Sequence, residues 1–163
     1  MTTEQLRHRM PPILKALKER SLRGRTPVEG LRRTECAYHG WDTVHADAAS
    51  WEPFAPGDAF GGLEAHHCFK GTVTLPEASA GKRVVCLVST GASDIWNNNN
   101  PQFLAYVDGR LVCGLDVNHN EFDLAACAVP GESHELALYV YCNTPARDVF
   151  LRVETAERDD DVT

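Results

Sequence analysis

Long apolar runs are missing from this sequence. No stretch of its 163 residues approaches the ~20 apolar residues that a membrane-spanning helix needs, and residues 1–9 are polar, unlike a signal peptide. Clustered positive charge is missing as well: 16 Lys and Arg residues stand against 23 Asp and Glu residues, and the formal net charge is −7. The composition therefore predicts a cytoplasmic protein that has neither a membrane nor a nucleic acid as its partner.

The cysteines lack the spacing of a zinc site. No two of the six are separated as C-x-x-C, the arrangement that zinc knuckles use. A chain of this length buries a sizeable core without cross-links, and no export signal is visible, so we predict free and mostly buried thiols rather than disulfides. Cysteine behaves as a small hydrophobe in apolar strand-like runs. Four of the six lie in such runs: Cys86, Cys113, Cys127 and Cys142.

The N-terminal region predicts a short helical arm. Its apolar residues recur at three- and four-residue spacing, and Pro11-Pro12 divides it into a turn up to Met10 and a better helix from Pro12 to Arg20. We expect the apolar stripe to cover an open face of the same protein; packing against another subunit is the alternative. In the first case, deleting residues 1–20 lowers thermal stability without changing the oligomeric mass. The stripe consists of Leu6, Met10, Ile13, Leu14 and Leu17.

The rest of the chain alternates short apolar segments with Gly, Pro, Asn and Asp, the pattern of a mainly β protein. We predict a jelly-roll or galactose-binding-like β-sandwich of about eight strands. Even-numbered residues from Leu136 to Cys142 are apolar and should form one core face. The predicted strands are Leu31–Ala37, His66–Leu75, Lys82–Ser89, Phe103–Val107, Arg110–Asp116, Glu121–Ala126, His134–Cys142 and Asp148–Thr155.

Two segments are predicted to be surface loops, Phe54–Gly62 and Gly91–Pro101, because they are rich in Gly, Pro and Asn. Trp41 and Trp51 are expected in the core or at its rim. The predicted organisation is a helical arm and connector over 1–27, in which Ser21–Pro27 is the connector, a sandwich over 28–156, and an acidic tail or the start of a linker over 157–163.

The most distinctive block is Asn100–Glu121, with the sequence NPQFLAYVDGRLVCGLDVNHNE. It predicts a hairpin around Asp108-Gly109 that is followed by closely spaced polar residues. An earlier block, Trp51–Glu64, has the sequence WEPFAPGDAFGGLE. Together they resemble the N-terminal, non-catalytic domain of glycoside hydrolase family 38 α-mannosidases, in which an "NPQ…YVDG…GLDVNH.E" run follows a "W…PGD.WGG.D…F" run. Phe60 replaces a tryptophan of that pattern, and Glu64 replaces an aspartate.

This resemblance implies a non-catalytic domain that supports, and in part lines, the cleft of a separate catalytic domain. That domain, attached in cis or in trans, would carry the divalent metal and the groups for retaining hydrolysis of terminal α-mannosides. This chain would need no cofactor of its own. The sequence leaves open its oligomeric state and whether it is a fragment of a longer protein.

An independent hydrolase is not favoured by the residues themselves. Sugar hydrolysis needs two carboxyl groups about 5 to 10 Å apart. Four acids are available (Glu64, Asp94, Asp116 and Glu121), but any sandwich offers as many, and the metal motif "H.D..W" of the α-mannosidase catalytic domain is absent from the sequence. A metal site is not favoured either. Adjacent His66 and His67 should point to opposite faces of a strand, and His119 with Glu121 would supply two ligands only.

Carbohydrate binding is the alternative function. Pyranose rings stack on aromatic side chains while amides, carboxylates and imidazoles bind the hydroxyl groups. A stand-alone carbohydrate-binding module would use such a surface for mannosides, whereas an accessory domain would turn it toward its catalytic partner. The same polar side chains could instead bind backbone groups of their own loops. The candidates are Trp96, Asn97, Asn100, Gln102, Asp116, Asn118, His119 and Glu121.

Overall fold

The computed structural model describes residues 10, 12–14, 16–17, 19–91 and 101–159, with the backbone alone for residues 145–148. Ten strands in this part of the chain form two antiparallel sheets, with orders β1-β10-β5-β8 and β3-β2-β4-β9-β6-β7. The strands are β1 (Leu22–Pro27), β2 (Leu31–Glu35), β3 (Glu52–Phe54), β4 (Ala59–Thr74), β5 (Arg83–Ser89), β6 (Gln102–Val107), β7 (Arg110–Leu115), β8 (Glu121–Ala125), β9 (Ser133–Phe150) and β10 (Arg152–Arg158). Two 3-10 segments, Gly40–His45 and Glu77–Ser79, lie between strands.

The main core lies between the two sheets and follows the alternation of the sequence. In β9, Leu136, Leu138 and Val140 are at most 1% exposed, as predicted. They pack in one cluster with Val84 and Cys86 of the four-stranded sheet. Because each fully buried large apolar side chain contributes about 1.5–3 kcal/mol, this layer dominates the stability of the fold. The predicted β-sandwich is confirmed.

The chain passes from the six-stranded to the four-stranded sheet at Leu151, the single residue between β9 and β10. β9 pairs with β4 in the six-stranded sheet, and β10 pairs with β5 in the four-stranded sheet. The Leu151 side chain is fully buried, its carbonyl accepts a hydrogen bond from the N–H of Gly57 at 2.8 Å, and its own N–H donates to the carbonyl of Asp58 at 3.2 Å. A strand that changes sheets in this way closes one end of a sandwich.

A smaller core covers the outer face of the six-stranded sheet. Residues 36–51, here called the strap, cross this face and bury Val44 and Trp51 against Cys68, Ala137 and Tyr139. The 3-10 segment Gly40–His45 is part of the strap. Both faces of β9 are therefore buried over part of its length, although the alternation of its sequence predicts one core face. Trp51 is 9% exposed and Trp41 is 40% exposed, which confirms their predicted core and rim positions.

Two cations tie the strap to the sheet. The Nζ of Lys70 donates to the carbonyl of Ala46 at 3.0 Å and pairs with a carboxylate oxygen of Glu135 at 3.1 Å. The Arg32 guanidinium donates to the carbonyls of Ala49 at 3.1 Å and Trp51 at 2.9 Å. These bonds satisfy carbonyl groups that have no strand partner, so they fix where the strap lies.

The helical arm differs in its packing from the expectation. Residues 10, 12–14, 16–17 and 19–20 are helical, in agreement with the predicted helix. Its apolar side chains, however, are exposed to 47% at Met10, 52% at Ile13, 55% at Leu14 and 41% at Leu17. The expectation that the stripe covers a face of the same sandwich is wrong for these four residues, and Leu6 lies outside the described residues. No described helix is long and apolar enough to cross a membrane.

Several segment boundaries also differ from the predictions. The segment expected as a connector, Ser21–Pro27, contains β1, which pairs with β10, and β10 extends to Arg158 inside the expected tail. The Phe54–Gly62 loop is interrupted by the start of β4, where Phe60 is fully buried. Most of the other predicted loop, residues 92–100, lies outside the described residues.

The thiols follow the prediction in part. The six cysteines are free; Cys68, Cys86 and Cys142 are buried, and Cys36 and Cys113 are half-buried. Cys127 is exposed, because β8 ends at Ala125 and this residue follows it on the surface. Its predicted position inside an apolar strand is therefore wrong.

Candidate functional site

A cleft of about 990 Å³ opens on the outer face of the six-stranded sheet, beside the strap. We call its aromatic part the aromatic cleft. It is formed by Tyr38, His39, Trp41, His66, Tyr139 and Tyr141.

Strand register places the floor of this cleft. Tyr139 and Tyr141 are two residues apart in β9, so both point away from the inter-sheet core. His66 of β4 is paired with Tyr141, and Gln102 of β6 is paired with the same tyrosine from the other side. Three neighbouring strands thus contribute adjacent polar and aromatic side chains to one surface.

Two irregular segments form the walls. The strap supplies Tyr38, two residues before its 3-10 segment, and Trp41, within that segment. The opposite wall comes from the bulge where β4 loses its register with β9 between Phe60 and Ala65. In this bulge Glu64 has a φ of 51°, an uncommon value for a residue with a Cβ atom. A hydrogen bond of 3.1 Å from its N–H to the side-chain oxygen of Asn143 holds the turn.

The rings in the cleft contact one another. The hydroxyl group of Tyr139 is 2.8 Å from Nδ1 of His66, and the two rings stack with their centroids 5.8 Å apart. Tyr141 and Tyr38 approach His66 with centroid distances of 5.2 and 5.5 Å. Burial raises the pKa of Tyr139, so its hydroxyl group stays protonated. The floor is consequently ordered by contacts among its own side chains.

A second hollow, of about 350 Å³, continues from this cleft toward the loop that joins β7 and β8. Gln102, Leu104, Tyr139 and Tyr141 line both. The second hollow adds Phe103, Gly114, Leu115, Asp116 and His119. The structure therefore brings three of the predicted site residues, Gln102, Asp116 and His119, to one surface.

Asp116 organises its own loop. Its Oδ1 accepts the N–H groups of Asn118 at 2.8 Å and His119 at 2.7 Å. The hydrogen bond from the His119 N–H is the main reason that the pKa of Asp116 is lowered, so the carboxylate stays ionised. The side chains of Asn118 and His119 are left at the exposed surface.

The other candidates lie elsewhere. Glu121 is in β8 of the four-stranded sheet and pairs with the guanidinium of Arg158, whose other nitrogen donates to Ser21 Oγ at 2.8 Å. The structure thus places Glu121 apart from the aromatic cleft. Trp96, Asn97 and Asn100 lie outside the described residues.

Sequence reasoning missed the aromatic part of the site. Alternation already placed Tyr139 and Tyr141 on the face opposite to the core, and their two aromatic rings were the available signal. The contribution of Tyr38 and Trp41 depends on the path of the strap, for which the sequence carries no periodic pattern.

The prediction that His66 and His67 point to opposite faces is confirmed: His66 lies in the cleft, whereas His67 is 1% exposed in the core.

Three described carboxyl groups, those of Asp108, Asp116 and Glu157, have lowered pKa values because they accept hydrogen bonds within the fold. Hydrogen bonds, first from His134 and then from the N–H of Glu135, lower the pKa of Asp108. Lys82 and Ser79 do the same for the pKa of Glu157, with Lys82 the larger cause. A general acid for glycoside hydrolysis needs the opposite shift, a raised pKa. Within the described residues, no three His, Cys, Asp or Glu side chains converge in a way that could hold a metal ion.

Comparisons with known proteins place the fold. No protein-family model matches the sequence, and no curated protein matches it significantly. The fold is similar to parts of solved β-glucuronidases. One is an uncultured Clostridium sp. enzyme, with a TM-score of 0.56, 8% identity, and coverage of 83% of this chain and 29% of that chain. The Ruminococcus gnavus enzyme gives a TM-score of 0.54 at 9% identity, covering 84% of this chain and 29% of that one.

A β-glucuronidase from glycoside hydrolase family 2 is also similar, with a TM-score of 0.52 at 13% identity, over 80% of this chain and 18% of that chain. At these identities the likeness shows a shared β-sandwich fold. The chain spans less than a third of the length of these three structures.

Proposed function

We propose that this chain is a non-catalytic β-sandwich domain of a glycosidase. Two separate likenesses support the proposal. The Asn100–Glu121 block resembles family 38 α-mannosidases in sequence, and the described fold is similar to part of family 2 β-glucuronidases. Their agreement on one enzyme class, reached from sequence and from fold, is the observation that carries the proposal.

A supporting role is favoured over catalysis by the state of the acidic residues. Asp108, Asp116 and Glu157 have lowered pKa values because hydrogen bonds hold their charged forms, and each of these bonds fixes a turn or a strand. Such groups serve the architecture of the sandwich. In the proposed enzyme the reacting carboxyl groups lie in another domain.

We further propose that this enzyme acts on terminal α-mannosides. The sequence resemblance supports this assignment, with the hairpin β6–β7 and the loop after it as its most specific part. The hairpin turns at Asp108-Gly109, both with positive φ, and the loop is held by Asp116. These residues form one edge of the six-stranded sheet and the loop that follows it, a suitable surface for a contact with a second domain.

The partner would be a metal-dependent catalytic domain, in cis or in trans. The sequence resemblance to family 38 α-mannosidases implies that the divalent ion of such an enzyme would be held by the partner domain. The role of this chain would be to position that domain and to line part of its cleft.

The experiment that tests the proposal uses the full-length product of the gene that encodes this chain. It is assayed with 4-nitrophenyl α-D-mannopyranoside and 4-nitrophenyl β-D-glucuronide. Hydrolysis of the mannoside alone is expected. Hydrolysis of the glucuronide alone would replace the α-mannosidase assignment by a β-glucuronidase one. Hydrolysis of neither, by the full-length product together with the proteins that co-purify with it, would overturn the glycosidase proposal.

A further inference from the structure

We propose that the aromatic cleft is a binding site for a neutral pyranoside, with Tyr38 and Tyr141 as stacking surfaces and with Gln102 and His119 as hydrogen-bonding groups. This inference goes beyond the accessory role, because it assigns a ligand to side chains of this chain alone. It identifies the ligand by charge and shape and does not depend on which glycosidase the domain serves.

The exposed aromatic rings are the first step. Tyr38 is 72% exposed and Trp41 is 40% exposed, although both lie beside a concave surface. Tyr141 is partly exposed on the floor between them and Gln102. Aromatic faces left in water around a hollow cost free energy until a flat apolar surface covers them. The C–H face of a pyranose ring is such a surface.

Preorganisation is the second step. The hydrogen bond with Tyr139 fixes the imidazole ring of His66, whose centroid lies 5.5 Å from that of Tyr38 and 5.2 Å from that of Tyr141. Trp41 packs edge-on to Tyr139 at a centroid distance of 6.3 Å. A ligand would thus meet rings that are already held in place, so binding loses little side-chain entropy.

Polar groups at the rim are the third step. The side chain of Gln102 is exposed next to Tyr141, and the His119 side chain is 82% exposed at the far end of the continuous hollow. An amide and an imidazole each offer both a donor and an acceptor, which suits sugar hydroxyl groups. The combination of apolar walls with a few polar groups is the usual make-up of a small-molecule site.

Charge decides the kind of sugar. The described residues that line the two hollows include the carboxylates of Glu35, Glu64 and Asp116 but no Lys and no Arg. A uronate would bring its negative charge toward these groups without a cation to pair with it, which is unfavourable. The cleft therefore selects a neutral pyranoside over a glucuronide, although the similar solved structures are β-glucuronidases.

The test is a titration of the 163-residue chain by isothermal calorimetry and tryptophan fluorescence. The probes are methyl α-D-mannopyranoside, methyl α-D-glucopyranoside and methyl β-D-glucuronide. We expect saturable binding of at least one neutral pyranoside with a Kd in the millimolar range, and no saturation with the glucuronide. Binding of the glucuronide as tight as that of the neutral sugars would overturn the inference, as would the absence of saturation with both neutral sugars.

Three variants locate the site. Tyr38→Ala and Tyr141→Ala should each weaken binding by about tenfold, because each removes one stacking surface. Phe150→Ala is the matched control, since Phe150 is an aromatic residue that is 46% exposed and lies outside both hollows. It should leave the Kd unchanged. Tyr38 is mostly in solvent, so its replacement leaves the fold intact and keeps the test decisive if Tyr141→Ala is unstable. Equal losses in Tyr38→Ala and Phe150→Ala would contradict the assignment.

Failure of this inference is distinguishable from failure of the accessory role. Silence in the titrations, with mannoside hydrolysis retained by the full-length enzyme, removes the sugar site and leaves the accessory domain. Saturable sugar binding by this chain, with no glycoside hydrolysed by the full-length product, would keep the sugar site and remove the accessory role.

Discussion

The hydroxyl group of Tyr139 lies 2.8 Å from Nδ1 of His66 and links the two central strands of the six-stranded sheet at the floor of the aromatic cleft. The residues come from β9 and β4, which pair over most of their length. Their rings stack at an interplanar angle of 26°. This pair stabilises the contact between β4 and β9 and also holds the two rings that form the cleft floor.

Replacing Tyr139 by Phe should lower the free energy of unfolding by about 0.5–1.5 kcal/mol, because the ring remains while His66 loses its partner. Urea denaturation followed by circular dichroism gives this value. Tyr38→Phe serves as the control, since Tyr38 is 72% exposed and its hydroxyl group is hydrated. Equal stability of the wild type and Tyr139→Phe would show that the hydrogen bond contributes nothing.

Lys70 should matter more for stability than a lysine at the surface. Its side chain is 9% exposed and binds the carbonyl of Ala46 and the carboxylate of Glu135. Lys70→Met keeps the apolar stem but leaves these acceptors without the ammonium group, at a cost of about 1–3 kcal/mol.

Lys82→Met is the matched control for that variant. Lys82 also pairs with a glutamate, Glu157, but its side chain is 49% exposed. Exposed ion pairs contribute about 0–1 kcal/mol. Thermal denaturation of both variants should therefore rank Lys70→Met as the less stable. The opposite ranking would mean that the strap does not depend on Lys70.

His67 should make stability depend on pH. Burial is the main reason that its pKa is lowered from the ordinary value of 6.5. The unfolded chain therefore takes up a proton at a higher pH than the folded one, and the free energy of unfolding falls as the pH drops below 6.5 and stops falling below the folded-state pKa.

Urea denaturation between about pH 7 and 5 measures this slope. His67→Gln should reduce it, because glutamine does not titrate. An unaltered slope in His67→Gln would rule out His67 as its source.

Glu121 should contribute to stability and not to sugar binding. It pairs with Arg158 in the four-stranded sheet, and their side chains are 23% and 10% exposed. Glu121→Gln is expected to cost about 1–3 kcal/mol of unfolding free energy while the Kd for a pyranoside stays the same. In the same strand, Asp123→Asn breaks a more exposed pair with Arg83 and should cost about 1 kcal/mol or less. A weaker Kd in Glu121→Gln would return this residue to the binding site.

The sheets were predictable where the side chains alternate strictly. The core residues of β9 and the β6–β7 hairpin follow from period-two patterns and from Asp108-Gly109. β1 was not predictable, because LRGRTP is polar and forms an edge strand whose side chains are mostly exposed. β1 is a strand because it pairs with β10, which is more than 120 residues away in the sequence, and such a pairing cannot be predicted from the local sequence.

The candidate site was predictable only in part, for a related reason. Gln102, Asp116 and His119 lie in one recognisable block, so their closeness in space follows from their closeness in sequence. Tyr38 and His66 are far apart along the chain, and their rings meet because the strap folds back over β4. Lys70 and Arg32 hold that path through backbone carbonyl groups, and such hydrogen bonds leave no pattern in the sequence.

The most direct test of the central claim, that this chain is a non-catalytic domain of a glycosidase, compares two preparations at equal molarity. One is the full-length gene product together with any protein that co-purifies with it, and the other is the isolated 163-residue chain. Each is incubated with 4-nitrophenyl α-D-mannopyranoside while nitrophenol release is followed. We predict release by the first preparation and none by the isolated chain. Release by the 163-residue chain at a comparable rate would contradict the account, because it would place the catalytic groups inside this sandwich.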